Sequence, residues 1–223
     1  MTRVYDDPCG VARALNVVGD RWALLVVREL LLGPKRFSEL RRGLPGVSPN
    51  VLSQRLDDLA EYGVVRRRHA GPPTSAPVYE LTEHGAGLEE VLVALGRWGA
   101  RRPVASGEDL GPDALWLAMR STFDAARGPC PDGEFELAVG GDTVTAGLSG
   151  GRLTMRRGAS TAPRATIAAD PATMRAVVFG GRAPSDAVAS GDLTVRGDDV
   201  AASAFLALFP RPAPVAPDGA WPA

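Results

Sequence analysis

Histidine and cysteine are nearly missing from this 223-residue chain, with two of each, and each scarcity excludes a kind of chemistry. Cys9 and Cys130 cannot build the disulfide framework of a small secreted domain; they leave at most one bridge or two free thiols. His69 and His84 both precede residue 103, so the later part of the chain can form neither a Ser-His-Asp triad nor a histidine metal site. No phosphate loop of the GxxxxGK type occurs. No enzyme, metal or cofactor is expected. Long apolar runs are also lacking. Trp22 to Val27 is cut by Arg28 and Glu29, well short of the roughly 18 residues a membrane span needs. Asp6 and Asp7 stand where a secretory signal would carry a basic start and an apolar run. The expectation is a cytoplasmic chain with no membrane partner.

The formal net charge of −1 conceals an asymmetry. Residues 1–103 hold 15 Lys+Arg against 12 Asp+Glu, and the remainder holds 10 against 14. Lys35-Arg36, Arg41-Arg42 and Arg66-Arg67-Arg68 all fall in the first part. Such clustering predicts polyanion binding there, with plain solvated surface as the alternative.

In the first part, Val11–Val18 and Arg21–Leu32 are dense in Ala, Leu and Val, and Gly33-Pro34 stops the second stretch, which predicts a buried central helix. A short helix from Phe37 ends at Pro45-Gly46. Ser48 then caps another, with Pro49 at its first position and Leu52, Leu56 and Leu59 forming one stripe up to Gly63. Two short helices joined by a Pro-Gly turn describe a helix-turn-helix. Val64–Arg68 and Val78–Leu81 flank a turn-rich segment and predict a hairpin, a wing with an arginine-rich arm. Thr82 can cap a final helix carrying Leu88, Val91, Leu92, Leu95 and Trp98 at helical spacing.

These residues resemble the HxlR-type winged-helix regulators, in unbroken order over about residues 8 to 100. The resemblance is carried by Gly19-Asp20-Arg21-Trp22, by Gly33 to Leu40, and by Gly46-Val47-Ser48-Pro49 with Leu52, Gln54, Arg55 and Leu56. Pro77 to Thr82 and the Leu95-to-Trp98 helix end complete it. It implies a homodimeric transcription regulator paired largely through its terminal helices, with Leu88, Val91, Leu92, Leu95 and Trp98 as dimer candidates. Position then assigns expectations. Asn50, Ser53, Gln54 and Arg55, beside the cap Ser48, are candidates for reading base edges in a major groove. Lys35, Arg36 and Ser38 at the preceding helix entrance, with Arg66, Arg67 and Arg68 on the wing, are candidates for phosphate contacts. A C2 dimer implies an operator with an inverted repeat.

Some members of that family use an N-terminal cysteine as a redox or electrophile sensor. Cys9 stands just before the first predicted helix, where a thiol pKa can be lowered. Pro8 precedes it and Gly10 follows, whereas family members commonly show Cys followed by Pro. An inert, packed cysteine is the other reading.

Between Arg101 and Pro112 the composition shifts to Pro, Gly, Ser and acidic residues, marking a boundary. The expected organisation is a winged helix-turn-helix domain over 1–103, a linker over 104–112, an α+β domain over 113–209 and a disordered Pro-rich tail over 210–223. The later domain should open with a helix over Ala114–Ala126. Strands Phe135–Val139, Thr143–Leu148 and Leu153–Arg156 should follow, punctuated like an antiparallel meander. A strand Ala165–Ala168, a helix from the Asp170 cap to Phe179, a short helix near 185–190, a strand 193–195 and a helix 200–208 complete the α+β pattern. The run Ala165-Thr166-Ile167, Gly180 to Pro184, Ala187, Ser190 to Val195 and Gly197-Asp198 resembles the sterol carrier protein type 2 superfamily. That resemblance implies a sheet covered by helices, with an apolar cavity for a hydrophobic small molecule. Trp116, Met119, Phe123, Met155, Met174, Phe179 and Phe205 are the candidate lining; a packed core is the alternative.

The sequence thus points to a ligand-responsive, dimeric, DNA-binding repressor. Two alternatives stand beside it: a redox regulator sensing through Cys9 with a structural second domain, and a lipid-carrier module without operator binding.

Overall fold

A computed structural model describes residues 4–69, 76–102 and 110–215. Chain contacts divide it into two compact units, Met1–Leu92 and Val93–Ala223. The expected wing tip, linker and end of the tail fall mostly outside the described residues. Residues 210–215 run without regular structure, and Val215 N donates to Arg101 O at 3.0 Å. No helix among the described residues is long and apolar enough to cross a membrane.

The first unit begins with α1 (Gly10–Val18), α2 (Ala23–Leu30), α3 (Phe37–Gly43) and α4 (Pro49–Glu61). The hairpin β1 (Val65–His69) and β2 (Pro77–Leu81) follows. Its core is the stripe Val26, Val27, Leu30, Leu40, Leu52, Leu56 and Leu59, each no more than 2% exposed. Helix α2 begins two residues later than the sequence predicts. Trp22 takes φ 80° as its N-cap, the one non-glycine residue at positive φ among those described, at a cost of about 1 to 2 kcal/mol. The Arg21 guanidinium lies 5.2 Å from the Trp22 ring centre. The turn between α3 and α4 passes through Gly46 at φ 87°, which a side chain would strain.

The hairpin gains a third neighbour from the chain before α3: Lys35 and Tyr79 exchange both backbone hydrogen bonds, at 2.9 and 2.8 Å. The single final helix that the sequence suggested is divided. Thr82 does cap, its Oγ1 accepting from Gly85 N at 3.0 Å. It caps only α5 (Glu83–Ala86), and after Gly87 the chain restarts as α6 (Leu88–Gly99).

The boundary at Leu92 falls within α6, so the second unit takes the rest of that helix and continues with α7 (Pro112–Thr122). This helix stops short of the predicted Ala126. Ser121 and Thr122 hydroxyls donate back to the carbonyls of Leu117 and Ala118, and Phe123 turns to extended backbone. A 3-10 turn, Ala125–Arg127, follows the Asp124 cap. Then come β3 (Gly133–Val139), β4 (Asp142–Ser149), β5 (Arg152–Arg157) and β6 (Ala165–Ala169). Helices α8 (Pro171–Val178) and α9 (Pro184–Ala189), strand β7 (Leu193–Gly197) and helix α10 (Asp199–Leu206) complete it.

The sheet order is β5-β4-β3-β6-β7, with β3 and β6 parallel and every other pair antiparallel. The chain crosses from edge strand β5 to β6 at the far side of β3. Asp170 and Asp198 cap α8 and α10 with backbone bonds from Thr173 and Ala201 at 2.8 and 2.9 Å. The Thr173 backbone bond, ahead of its hydroxyl, lowers the Asp170 carboxyl below the usual range. Phe135, Leu137, Val139, Val144 and Ala146 form the buried face. Phe205 stacks on Phe135 at 4.4 Å between ring centres and meets Phe209 edge-on at 5.1 Å. Each ring buried this way contributes about 1.5 to 3 kcal/mol.

Candidate nucleic-acid interface

Helix α4 is built to present one polar face. Ser48 Oγ accepts from Val51 N at 3.3 Å, Pro49 occupies the first turn, and Leu52, Leu56 and Leu59 are buried. That leaves Ser48, Asn50, Ser53 and Gln54 exposed together near its N-terminal end. Gln54 Nε2 donates to Asp58 Oδ1 at 2.7 Å, so its amide is held along the helix. A helix exposing amides and hydroxyls at its N-terminal half can enter a major groove and meet base edges.

Arg55 lies elsewhere. Its guanidinium pairs with Asp20, in the turn between α1 and α2, and with Asp58 one turn along at 3.0 Å. Its side chain is 17% exposed. Arg55 therefore ties α4 to the preceding turn, and Asp20 of the Gly19-to-Trp22 run is its partner.

Lys35 likewise turns inward. Its Nζ lies 2.7 Å from Glu29 Oε2, and Glu29, 2% exposed, also takes the Arg28 guanidinium at 2.9 Å. A second bond from Arg28 reaches Gly43 O at 3.3 Å. One buried carboxylate thus joins α2, the end of α3 and the strand-like residue beside the wing. Arg36 and Ser38 remain exposed at the entrance of α3, as do Arg41 and Arg42 in its last turn.

On the wing, Arg66 and Arg68 share one face and Arg67 the other, as alternation along a strand requires. Glu80, directly opposite Arg66, accepts from Arg66 Nε at 2.7 Å and from Arg68 Nε at 2.5 Å. Arg68 first, and Arg66 with it, holds the Glu80 carboxyl below the ordinary carboxylate range. Arg67 is paired in register with Tyr79 and is exposed.

Helix α6 carries an uncovered apolar stripe: Val91, Leu95 and Trp98 are 49%, 46% and 71% exposed, while Leu88 is half-buried and Leu92 buried. Val11 and Leu15 give α1 a similar exposed pair. Cys9 is exposed at the N-cap of α1. Cys130 is half-buried, and that burial pushes its thiol up.

Of the apolar residues singled out in the second unit, Trp116, Met119, Met174 and Phe205 are at most 1% exposed, whereas Phe123, Met155 and Phe179 are half-buried. An open cleft of about 410 Å³ in that unit is lined by other residues: Asp132, Gly133, Glu134, Ala162, Arg164 and Asp198. It is polar, and Arg164 spans to Asp198 at 3.3 Å. Among the described residues no group of three or more His, Cys, Asp or Glu could hold a metal ion.

The HxlR-like helix-turn-helix family pattern matches residues 17–105. An uncharacterized HTH-type transcriptional regulator of Mycobacterium bovis is 42% identical over 89 residues, 40% of this chain and 56% of that protein. The HTH-type transcriptional regulator YvaP of Bacillus subtilis is 39% identical over 87 residues, 39% of this chain and 80% of YvaP. Among solved structures, the reduced form of the transcriptional regulator YodB from B. subtilis is 30% identical and covers 43% of this chain and 94% of its own, with a TM-score of 0.39. The chain spans about half the length of the mycobacterial relative, and the family pattern lies in the first half of this chain. With a family pattern over the helix-turn-helix and a relative matched over four-fifths of its own length, this chain belongs to the HxlR-like helix-turn-helix family.

Proposed function

We propose that this protein is a homodimeric, DNA-binding transcription regulator, acting as a repressor, whose second unit takes up an apolar small molecule that changes operator affinity. The observation that carries the reading is α4: a Ser48-capped helix with its leucines buried and Asn50, Ser53 and Gln54 exposed. Family membership supports it, since the relatives are named transcriptional regulators. Base reading rests with those three side chains; phosphate contacts rest with Arg36, Ser38 and Arg67, joined by Arg66 and Arg68 where Glu80 yields them. The apolar stripe of α6 supplies the pairing surface of a C2 dimer, which places two α4 helices about 34 to 36 Å apart on an inverted repeat.

A sterol-carrier-like second unit fits the five-stranded sheet backed by helices, and Met119, Met155 and Met174 give it adaptable apolar side chains. Within that unit Arg97 Nε, in the last turn of α6, donates to Ser121 O of α7 at 3.0 Å, so the end of the proposed dimer helix is tied to it. The test is selection of duplexes from a random library by the full chain, followed by footprinting. A palindromic footprint protected by a dimer is the expected result; the absence of any preferred duplex would refute operator binding and leave a carrier module. The exposure of Cys9 at the start of α1 favours one second reading, a redox-sensing regulator. Loss of operator binding with oxidant, abolished by Cys9→Ser, would establish it.

A further inference from the structure

We propose that the second unit receives a neutral carbonyl oxygen on two buried N–H donors, Trp116 Nε1 and Arg157 Nε, so that the apolar molecule it takes up is a ketone, ester or amide. The inference rests on the reading that this unit takes up such a molecule. Trp116 is 1% exposed and its indole N–H has no hydrogen-bond partner. Arg157 Nε is also buried without one. The other guanidinium nitrogens of Arg157 are both used: Nη2 donates to Asp113 Oδ1 at 2.6 Å and Nη1 to Asp142 Oδ1 at 2.8 Å. A buried donor left without an acceptor carries its full desolvation cost, and two such donors in one region are uncommon in a folded core.

Position brings the two donors to the same part of the unit. Asp113 lies on α7 and Arg157 on β5, and their ion pair joins the two elements. Trp116 follows Asp113 by three residues, about 60° around the helix, on the flank leading to buried Met119. On β5, Leu153 and Met155 share the sheet face of Arg157. They are half-exposed, although Leu148 and Ala146 directly opposite are buried. The helical layer therefore leaves β5 partly uncovered beside the two donors, with apolar side chains to take a hydrocarbon body.

Charge selects the head group. The single positive charge of Arg157 already faces Asp113, whose side chain is 5% exposed, and Asp142. A carboxylate ligand would bring a third negative charge to one guanidinium that two carboxylates already share, whereas a carbonyl oxygen accepts both N–H bonds and adds no charge. A hydrocarbon would leave both donors bare.

The experiment titrates the ¹⁵N-labelled full chain with decan-2-one, decane and decanoate, following the Trp116 indole N–H signal, identified by its loss in Trp116→Phe. Decan-2-one is expected to move that signal downfield and to bind Trp116→Phe about five- to tenfold more weakly than the unaltered chain. Decane should bind both alike. Arg157→Lys, which keeps a positive charge between Asp113 and Asp142 but has no Nε, should weaken the ketone too, and covers the case in which Trp116→Phe fails to fold. Equal binding of ketone and alkane, insensitive to both substitutions, would overturn the carbonyl site while leaving apolar uptake standing. Decanoate binding more tightly than the ketone would overturn the charge argument. An indole signal with a water cross-peak that no probe displaces would mean bound water only, and no binding by any probe would overturn the carbonyl site and the uptake reading together.

Discussion

Replacing Glu80 with Gln should strengthen binding to duplex DNA of any sequence. In the wing, one carboxylate accepts from Arg66 at 2.7 Å and from Arg68 at 2.5 Å, while the two arginine side chains stay 64% and 46% exposed. The carboxylate thus cancels half the positive charge of that face and aims both guanidinium groups back along the hairpin. Each phosphate neutralised adds about 0.9 to the slope of log affinity against log salt. Freeing two arginines can therefore steepen the slope by up to about 1.8, equivalent to roughly tenfold more affinity lost between 50 and 200 mM salt. Loss of two largely solvated pairs should cost no more than about 1 kcal/mol of stability. The assay is fluorescence anisotropy of a random-sequence duplex across that salt range, for the unaltered chain, Glu80→Gln and Arg67→Ala. Arg67→Ala should shift the slope the other way by about 0.9. An unchanged or flatter slope for Glu80→Gln would refute the wing as a phosphate-binding element. Acid supplies a second check. The Glu80 carboxyl is held low in the folded chain by Arg68 and Arg66, so its stabilisation is complete above the unfolded carboxylate pKa and fades as pH falls through the lower folded one. Differences from Glu80→Gln should persist at neutral pH and vanish below the ordinary carboxylate range.

Other outcomes follow from burial and partners. Arg55→Ala should cost about 1 to 2 kcal/mol of stability by denaturant titration and weaken all duplex sequences alike, because Arg55 holds Asp20 and Asp58; relaxed preference at one base only would restore it as a base reader. A Gly43→Ala methyl would collide with the buried Glu29 carboxylate and should cost about 2 to 4 kcal/mol, read from the urea midpoint. Leu95→Glu, on the exposed stripe of α6, should yield monomers in sedimentation at micromolar concentration without lowering the melting temperature. Met174→Arg would bury an unpaired guanidinium where nothing is exposed, so it should unfold the second unit, at about 3 to 5 kcal/mol by denaturant titration, before it could act as a plug in a cavity.

Local signals in the sequence located most elements, since caps and stops act over a few residues. Ser48, Thr82 and Asp170, each read as a cap, all accept backbone bonds at helix starts. What sequence spacing could not supply was pairing at a distance. Arg55 and Asp20 are 35 residues apart, and Arg157 and Asp113 are 44 apart. Periodicity is silent on which charged side chain finds a buried partner, so Lys35 and Arg55 read as surface cations until Glu29 and Asp20 come beside them. The same limit hid the parallel contact of β3 with β6, whereas the antiparallel run β3 to β5 is written in its glycine turns. The left-handed Trp22 broke a pattern that composition made look continuous.

The parallel pairing of β3 with β6 also orders events on the ribosome. The first unit is complete at Leu92, about a hundred residues before β7 closes the second sheet. At about 5 to 20 residues per second, that interval lasts roughly 5 to 20 s. Only after Arg157, in the last part of it, can β3 to β5 form a three-stranded meander, and until β6 follows the β3 edge reserved for it offers its amides and carbonyls to any passing strand. The apolar face of that meander, Phe135, Leu137 and Val139, still lacks α8 and α10. Translation speed over residues 158 to 200 is therefore a determinant of how much of this protein escapes aggregation, and pauses placed there would harm its yield more than pauses anywhere before Leu92.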